Sequence, residues 1–111
     1  MDKIYSWIKH ILNNSEYSYL RLPKDIANST RFIIYDDTFK RIDARIKNSI
    51  ERKMNFFYIM LNLNPEDVRT IINVLEANEY MVSIMCSNER GCALSVSWRI
   101  DRFYYENNKA V

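Results

Sequence analysis

Residues 91–100 read GCALSVSWRI, and their alternation restricts the chain more than any other feature. Cys92, Leu94, Val96, Trp98 and Ile100 fall on one side of an extended backbone. Ala93, Ser95, Ser97 and Arg99 fall on the other. A period of two over this length requires a half-buried strand. Such a strand needs hydrogen-bonding neighbours and a layer covering its apolar side.

The neighbour is written just upstream. Residues 80–87 carry strand formers, and with 92–100 they make a hairpin. A three-residue loop, Glu89-Arg90-Gly91, would put the sequence's one glycine where a left-handed backbone is needed. That loop sets Asn88 opposite Cys92, Cys86 opposite Leu94, Ile84 opposite Val96 and Val82 opposite Trp98, with all apolar residues on one face. Cys86 and Cys92 are not opposite in this register, so both thiols are expected to be free.

The covering layer comes from helical periodicity. Phe39, Ile42, Ile46 and Ile50 predict a helix over 38–53, capped by Asp36 or Asp37. "NFFYIMLNL" predicts a central strand over 55–63. Asn64-Pro65-Glu66-Asp67 is a helix start: a capping side chain, proline in the first turn, and acids favourable to the helix dipole. Val68, Ile71, Ile72 and Leu75 then give a buried stripe over 65–78. Nearer the start, Ile4, Trp7, Ile8, Ile11 and Leu12 predict an amphipathic helix over 3–13. Pro23 excludes a continuous helix through the next segment but allows a short one from Pro23 to Ala27. Residues 31–35, RFIIY, suit a short edge strand or the end of a helical segment equally.

The expected fold class is α+β: two layers, a small antiparallel or mixed sheet of three or four strands, helices on one face, and an N-terminal amphipathic helix. One domain spans 1–111. Within it, 1–37 form the N-terminal helix and an irregular segment, 38–100 the core unit, and 101–111 a tail whose aromatics pack in part. The chain is 48% hydrophobic and 27% charged, which is globular rather than disordered. Its net charge of +2 does not demand a polyanionic partner. No apolar run reaches the roughly 18 residues of a membrane span. Two cysteines without an export signal point to a reducing cytoplasm.

The order helix, strand, capped helix, hairpin, running from "IERKMNFFYIMLNL" through "NPEDVRTIINVLEANEYMVS" to "ALSVSW", resembles a group of small accessory proteins of tailed bacteriophages. These often end in a "GY.V…G..L.ISW" pattern. The resemblance covers residues 38–100 and departs at Glu79, where the group usually has glycine before the tyrosine. It implies a viral protein acting in the host bacterial cytoplasm, in host takeover or counter-defence, by binding a host protein. It carries over no catalytic residue.

The residues themselves offer little catalytic chemistry. His10 is the one histidine, so any histidine-based nucleophile system would depend on it. One glycine leaves no phosphate-binding loop. Cys86 and Cys92 lack the further ligands and close spacing of a zinc site. Asp36 and Asp37 are accounted for by capping. No enzyme activity, cofactor or metal is expected.

Two surfaces remain as candidates for binding. The second sheet face should present Phe56, Tyr58, Met60, Met81, Met85 and Arg99, with Ser83, Ala93, Ser95 and Ser97 between them. Methionines and aromatics adapt to a partner and supply contact area, unless the N-terminal helix covers this face. The helix 38–53 carries Lys40, Arg41, Arg45, Lys47, Arg52 and Lys53 against Asp43 and Glu51, a candidate basic patch or an ordinary solvated face. The leading expectation is a bacterial host protein bound through the sheet face. Nucleic acid on the basic helix is the alternative. Sequestration of a nucleotide signal at an oligomer interface, which needs a homodimer, is a weaker one.

Overall fold

A computed structural model describes residues 17–103. The predicted helix 3–13, His10 and the tail beyond Phe103 lie outside the described residues. The elements run α1 (Lys24–Ala27), α2 (Phe32–Glu51), β1 (Phe56–Leu61), α3 (Pro65–Ala77), β2 (Met81–Asn88) and β3 (Gly91–Ser97). The fold is α+β, with a three-stranded antiparallel sheet in the order β1-β3-β2. The strand predicted to be central, 55–63, is therefore an edge strand, and β3 is central. The alternation at 92–98 already marked β3 as the strand with a fully buried face.

Residues 32–35 resolve as helix, with Arg31 at the N-cap. Phe32 and Tyr35 extend backward the stripe of Phe39, Ile42 and Ile46, and all five are buried. One more turn of a buried stripe outweighs local strand propensity, although it leaves Ile33 83% exposed. Asp36 and Asp37 are consequently not caps. They lie inside α2, whose N-cap is Arg31 with no side-chain capping bond. Asp36 instead accepts from the Tyr17 hydroxyl and pairs with Lys40 at 2.9 Å, one turn along. The start of α3 is as predicted: Asn64 accepts from the Asp67 amide at 2.9 Å, with Pro65 in the first turn.

Phe57, Ile59 and Leu61 of β1, Leu94, Val96 and Trp98 of and after β3, and the stripes of α2 and α3 form one core. Residues 17–22 strap the two helices together. The Ser18 and Tyr19 amides donate to the Asp43 carboxylate at 3.1 and 2.8 Å. The Arg21 amide and carbonyl exchange bonds with the Asn78 side chain at 2.8 and 2.9 Å. Tyr80, pushed up to about 12 chiefly by burial, donates its hydroxyl to the Tyr19 carbonyl at 2.8 Å. The short helix after Pro23 forms as expected.

Both long helices end in the same motif. In α2 the Met54 amide bonds the Ser49 carbonyl and the Lys53 amide the Ile50 carbonyl; in α3 Tyr80 bonds Leu75 and Glu79 bonds Glu76. This paired pattern needs a left-handed residue just past the helix. Lys53 and Glu79 occupy that position with φ of 60° and 66°. Glu79 thus adopts the backbone for which glycine is usual. Arg102 braces the end of α3 by donating to the Asn78 and Glu79 carbonyls at 2.9 and 3.1 Å, its guanidinium 4.3 Å from the Tyr80 ring centre.

The hairpin differs from the expected register. The loop has two residues, Glu89 and Arg90, with Asn88 opposite Gly91. Gly91 does not have positive φ. Its lack of a side chain serves close approach instead, because a Cβ there would stand 2.7 Å from the Leu61 carbonyl oxygen of β1. A bulge at Met85 shifts the pairing between Ile84, opposite Leu94, and Cys86, opposite Ala93. One inserted residue reverses which face later side chains occupy. Cys86, expected inward, is therefore exposed, while Cys92 is buried; both are free thiols.

Candidate functional site

The sheet's outer face is built from cross-strand rows. Phe56, Ser97 and Met81 form the first, Tyr58, Ser95 and Ser83 the second. Met60, Ala93 and Cys86 form the third, with Met85 bulged beside it. Tyr58, Met60, Met81 and Met85 are each more than half exposed. Phe56 is half-buried and stacks edge-on to Tyr58 at 5.6 Å. Five of the six residues expected on this face are thereby brought together. Arg99 lies two residues past the end of β3, exposed, 3.3 Å from Asp101. The small side chains of Ala93, Ser95 and Ser97 make the middle of the face low between flanking methionines and aromatics, a shape suited to receiving a partner's protruding side chains.

The basic residues do not make one patch. At about 100° per residue, Arg41 and Arg45 fall within one narrow sector of α2, with Arg52 at its C-cap continuing that sector, while Lys40 and Lys47 fall far around the helix. Lys40 is engaged with Asp36, and Asp43 with the strap. The arginine sector faces β1: the Arg41 guanidinium donates to the Met60 carbonyl at 3.4 Å. Lys53 stands in the left-handed turn that ends α2.

One charged cluster escaped sequence reasoning. Asp67, buried at the start of α3, receives the forked guanidinium of Arg31 and the Tyr35 hydroxyl at 2.9 Å. The Arg31 hydrogen bonds, opposed by burial and aided by Tyr35, hold this carboxyl below the usual range. Every acceptor in the cluster is used to join α2 to α3, so it reads as a structural clamp rather than a reactive site. Its only sequence signal was the capping pattern at Asn64, which explains Asp67 without Arg31.

Among the described residues, clefts border the helical layer. A space of about 530 Å³ lies between the strap and the end of α3, lined by Arg21, Asn78, Glu79, Arg102 and Phe103 among others. A smaller one of about 240 Å³ lies under β2, between Ile84 and the α3 residues Val68 and Ile72. Among the described residues no three Asp, Glu, His or Cys side chains group closely enough to hold a metal ion, and no helix is long and apolar enough to cross a membrane. No protein-family model, curated protein or solved structure matches the chain.

Proposed function

We propose that this chain is a small accessory protein that binds and modulates a protein of a bacterial host, through the outer face of its sheet. The observation that carries the reading is the contiguous face of Tyr58, Met60, Met81 and Met85 around Ala93, Ser95 and Ser97. Large apolar side chains gathered on one sheet face, rather than scattered, mark an interaction surface. The resemblance of residues 38–100 to phage accessory proteins supports a host protein as the partner and the bacterial cytoplasm as the place. Separation of the basic residues into two sectors, with Lys40 in one of them paired to Asp36, weighs against a continuous phosphate-binding face.

The test is affinity capture from nuclease-treated bacterial lysate, comparing wild type with Met81→Ala/Met85→Ala. The expected result is one stoichiometric protein partner, lost by the double variant. Capture that vanishes with nuclease, or that the double variant leaves unchanged, overturns the reading.

A further inference from the structure

The open edge of β1 has a defined chemistry. In an antiparallel pair every second residue bonds its neighbour, and the residues between turn their amides and carbonyls away. The Trp98 amide donates to the Asn55 carbonyl at 3.1 Å, which sets the phase. Phe57, Ile59 and Leu61 therefore face β3, and Phe56, Tyr58 and Met60 face outward. Two bonds agree with this phase: Ser49 donates to the Phe56 carbonyl at 3.2 Å and Arg41 to the Met60 carbonyl at 3.4 Å. Between them, the amide and carbonyl of Tyr58 have no partner among the described residues.

Those same two bonds align α2 with the edge. Ser49 and Arg41 are separated by about 12 Å of helix, and Phe56 and Met60 by about 13 Å of strand. Arg45, midway between Ser49 and Arg41, is thus level with Tyr58. Arg41 and Arg45 line the helix side of the edge, Arg52 follows at the C-cap of α2 just past the Phe56 end, and the nearest acid on that sector, Asp37, precedes them by a turn. Phe56, Tyr58 and Met60 line the other side. The opposite sheet edge, β2, is interrupted by its bulge, which blunts a strand for pairing. The β1 edge is regular over six residues, without proline or bulge.

We propose that the β1 edge receives an extended acidic segment of a partner protein as a fourth strand. The proposal rests on the protein-binding reading above and adds the edge used and the chemistry recognised. An added strand alternates its side chains between the two faces. Those on the helix side meet Arg41, Arg45 and Arg52, and so are carboxylates. Those on the outer side extend the Phe56, Tyr58 and Met60 surface, and so are apolar. The recognised pattern is acid alternating with apolar residue. A nucleic acid satisfies the arginines but does not bring the paired amide and carbonyl that Tyr58 leaves open, whereas a peptide strand brings both, beside the Phe56 and Met60 carbonyls that already accept from Ser49 and Arg41.

The test uses the full-length chain, nitrogen-15 labelled, and three probes: a blocked peptide alternating glutamate and valine, a peptide of the same composition with the glutamates and valines in separate blocks, and an oligothymidylate. The alternating peptide is expected to shift the amide signals of Phe56, Tyr58 and Met60 and to slow hydrogen exchange at Tyr58. Arg41→Glu/Arg45→Glu/Arg52→Glu, all at exposed positions, is expected to weaken binding by about tenfold or more. Tyr58→Pro, a substitution that an outward-facing edge amide accepts, is expected to abolish it. Absence of these shifts, equal binding of the block peptide, or arginine-dependent shifts produced more strongly by oligothymidylate would each overturn the proposal. Host-protein capture sensitive to Met81→Ala/Met85→Ala, alongside a failed peptide titration, sinks the edge inference alone. Peptide binding without such capture sinks the outer-face reading alone.

Discussion

Lys53 and Glu79 hold left-handed backbones at the ends of α2 and α3, at φ of 60° and 66°. A side chain in that conformation brings Cβ against the following carbonyl, at a cost of about 1–2 kcal/mol. Glycine removes that cost but loses more conformational freedom on folding, by about 0.5–1 kcal/mol. The difference is a net gain of about 0.5–1 kcal/mol for Glu79→Gly and for Lys53→Gly. The two turns share no partner, so the double variant should gain about 1–2 kcal/mol. For a domain of this size that raises Tm by roughly 5–10 °C. Neither change removes a hydrogen bond, because the motif bonds and the Arg102 bonds all use main-chain atoms. Thermal and urea melts of wild type, both glycine variants and the matching alanine variants make the comparison. Alanine retains Cβ and should bring no gain. Glycine variants no more stable than the alanine variants would show that left-handed strain is not what limits these turns.

Gly91→Ala should cost about 1–3 kcal/mol in the same melts, because the added Cβ meets the Leu61 carbonyl rather than a yielding side chain. Leu75→Ala and Val96→Ala, both fully buried, should cost about 2–4 and about 1–3 kcal/mol in urea unfolding. Asp67 has its folded pKa depressed, chiefly by the Arg31 hydrogen bonds. Its contribution should be complete above the unfolded carboxylate value of about 3.9 and lost as pH falls through the folded value. Asp67→Asn should accordingly be less stable than wild type at neutral pH, and acid melts should show the gap closing below about pH 4. Native protein treated with a thiol reagent should gain one label, at exposed Cys86, and a second at Cys92 only on unfolding, as read by intact mass.

The sequence by itself determined most of the buried stripes, though Ile84, Cys86 and Ile100, expected on the core face, are exposed. Alternation at 92–98 and the stripes at 39–46 and 68–75 depend only on the periods of strand and helix, and the core is made of those residues. It also determined the start of α3, because capping is a contact among near neighbours. The same local logic placed Phe56, Tyr58, Met60 and Met81 on the outer face.

Tertiary structure decided what depends on distant partners. Residues 32–35 became helix because Phe32 and Tyr35 could join a core that local propensity does not see. β1 became an edge because β2 and β3 pair with each other and leave only one free side of β3. The Met85 bulge reversed the face of Cys86, and no residue type announces a bulge. Gly91 pointed to a left-handed turn, yet what it avoids is a carbonyl thirty residues earlier in the chain. The arginines of α2 were legible as charge, but their division into two sectors follows from the face that α2 buries. That Arg41 and Arg45 stand level with the open edge of β1 follows from how a helix and a strand of different rise lie against each other.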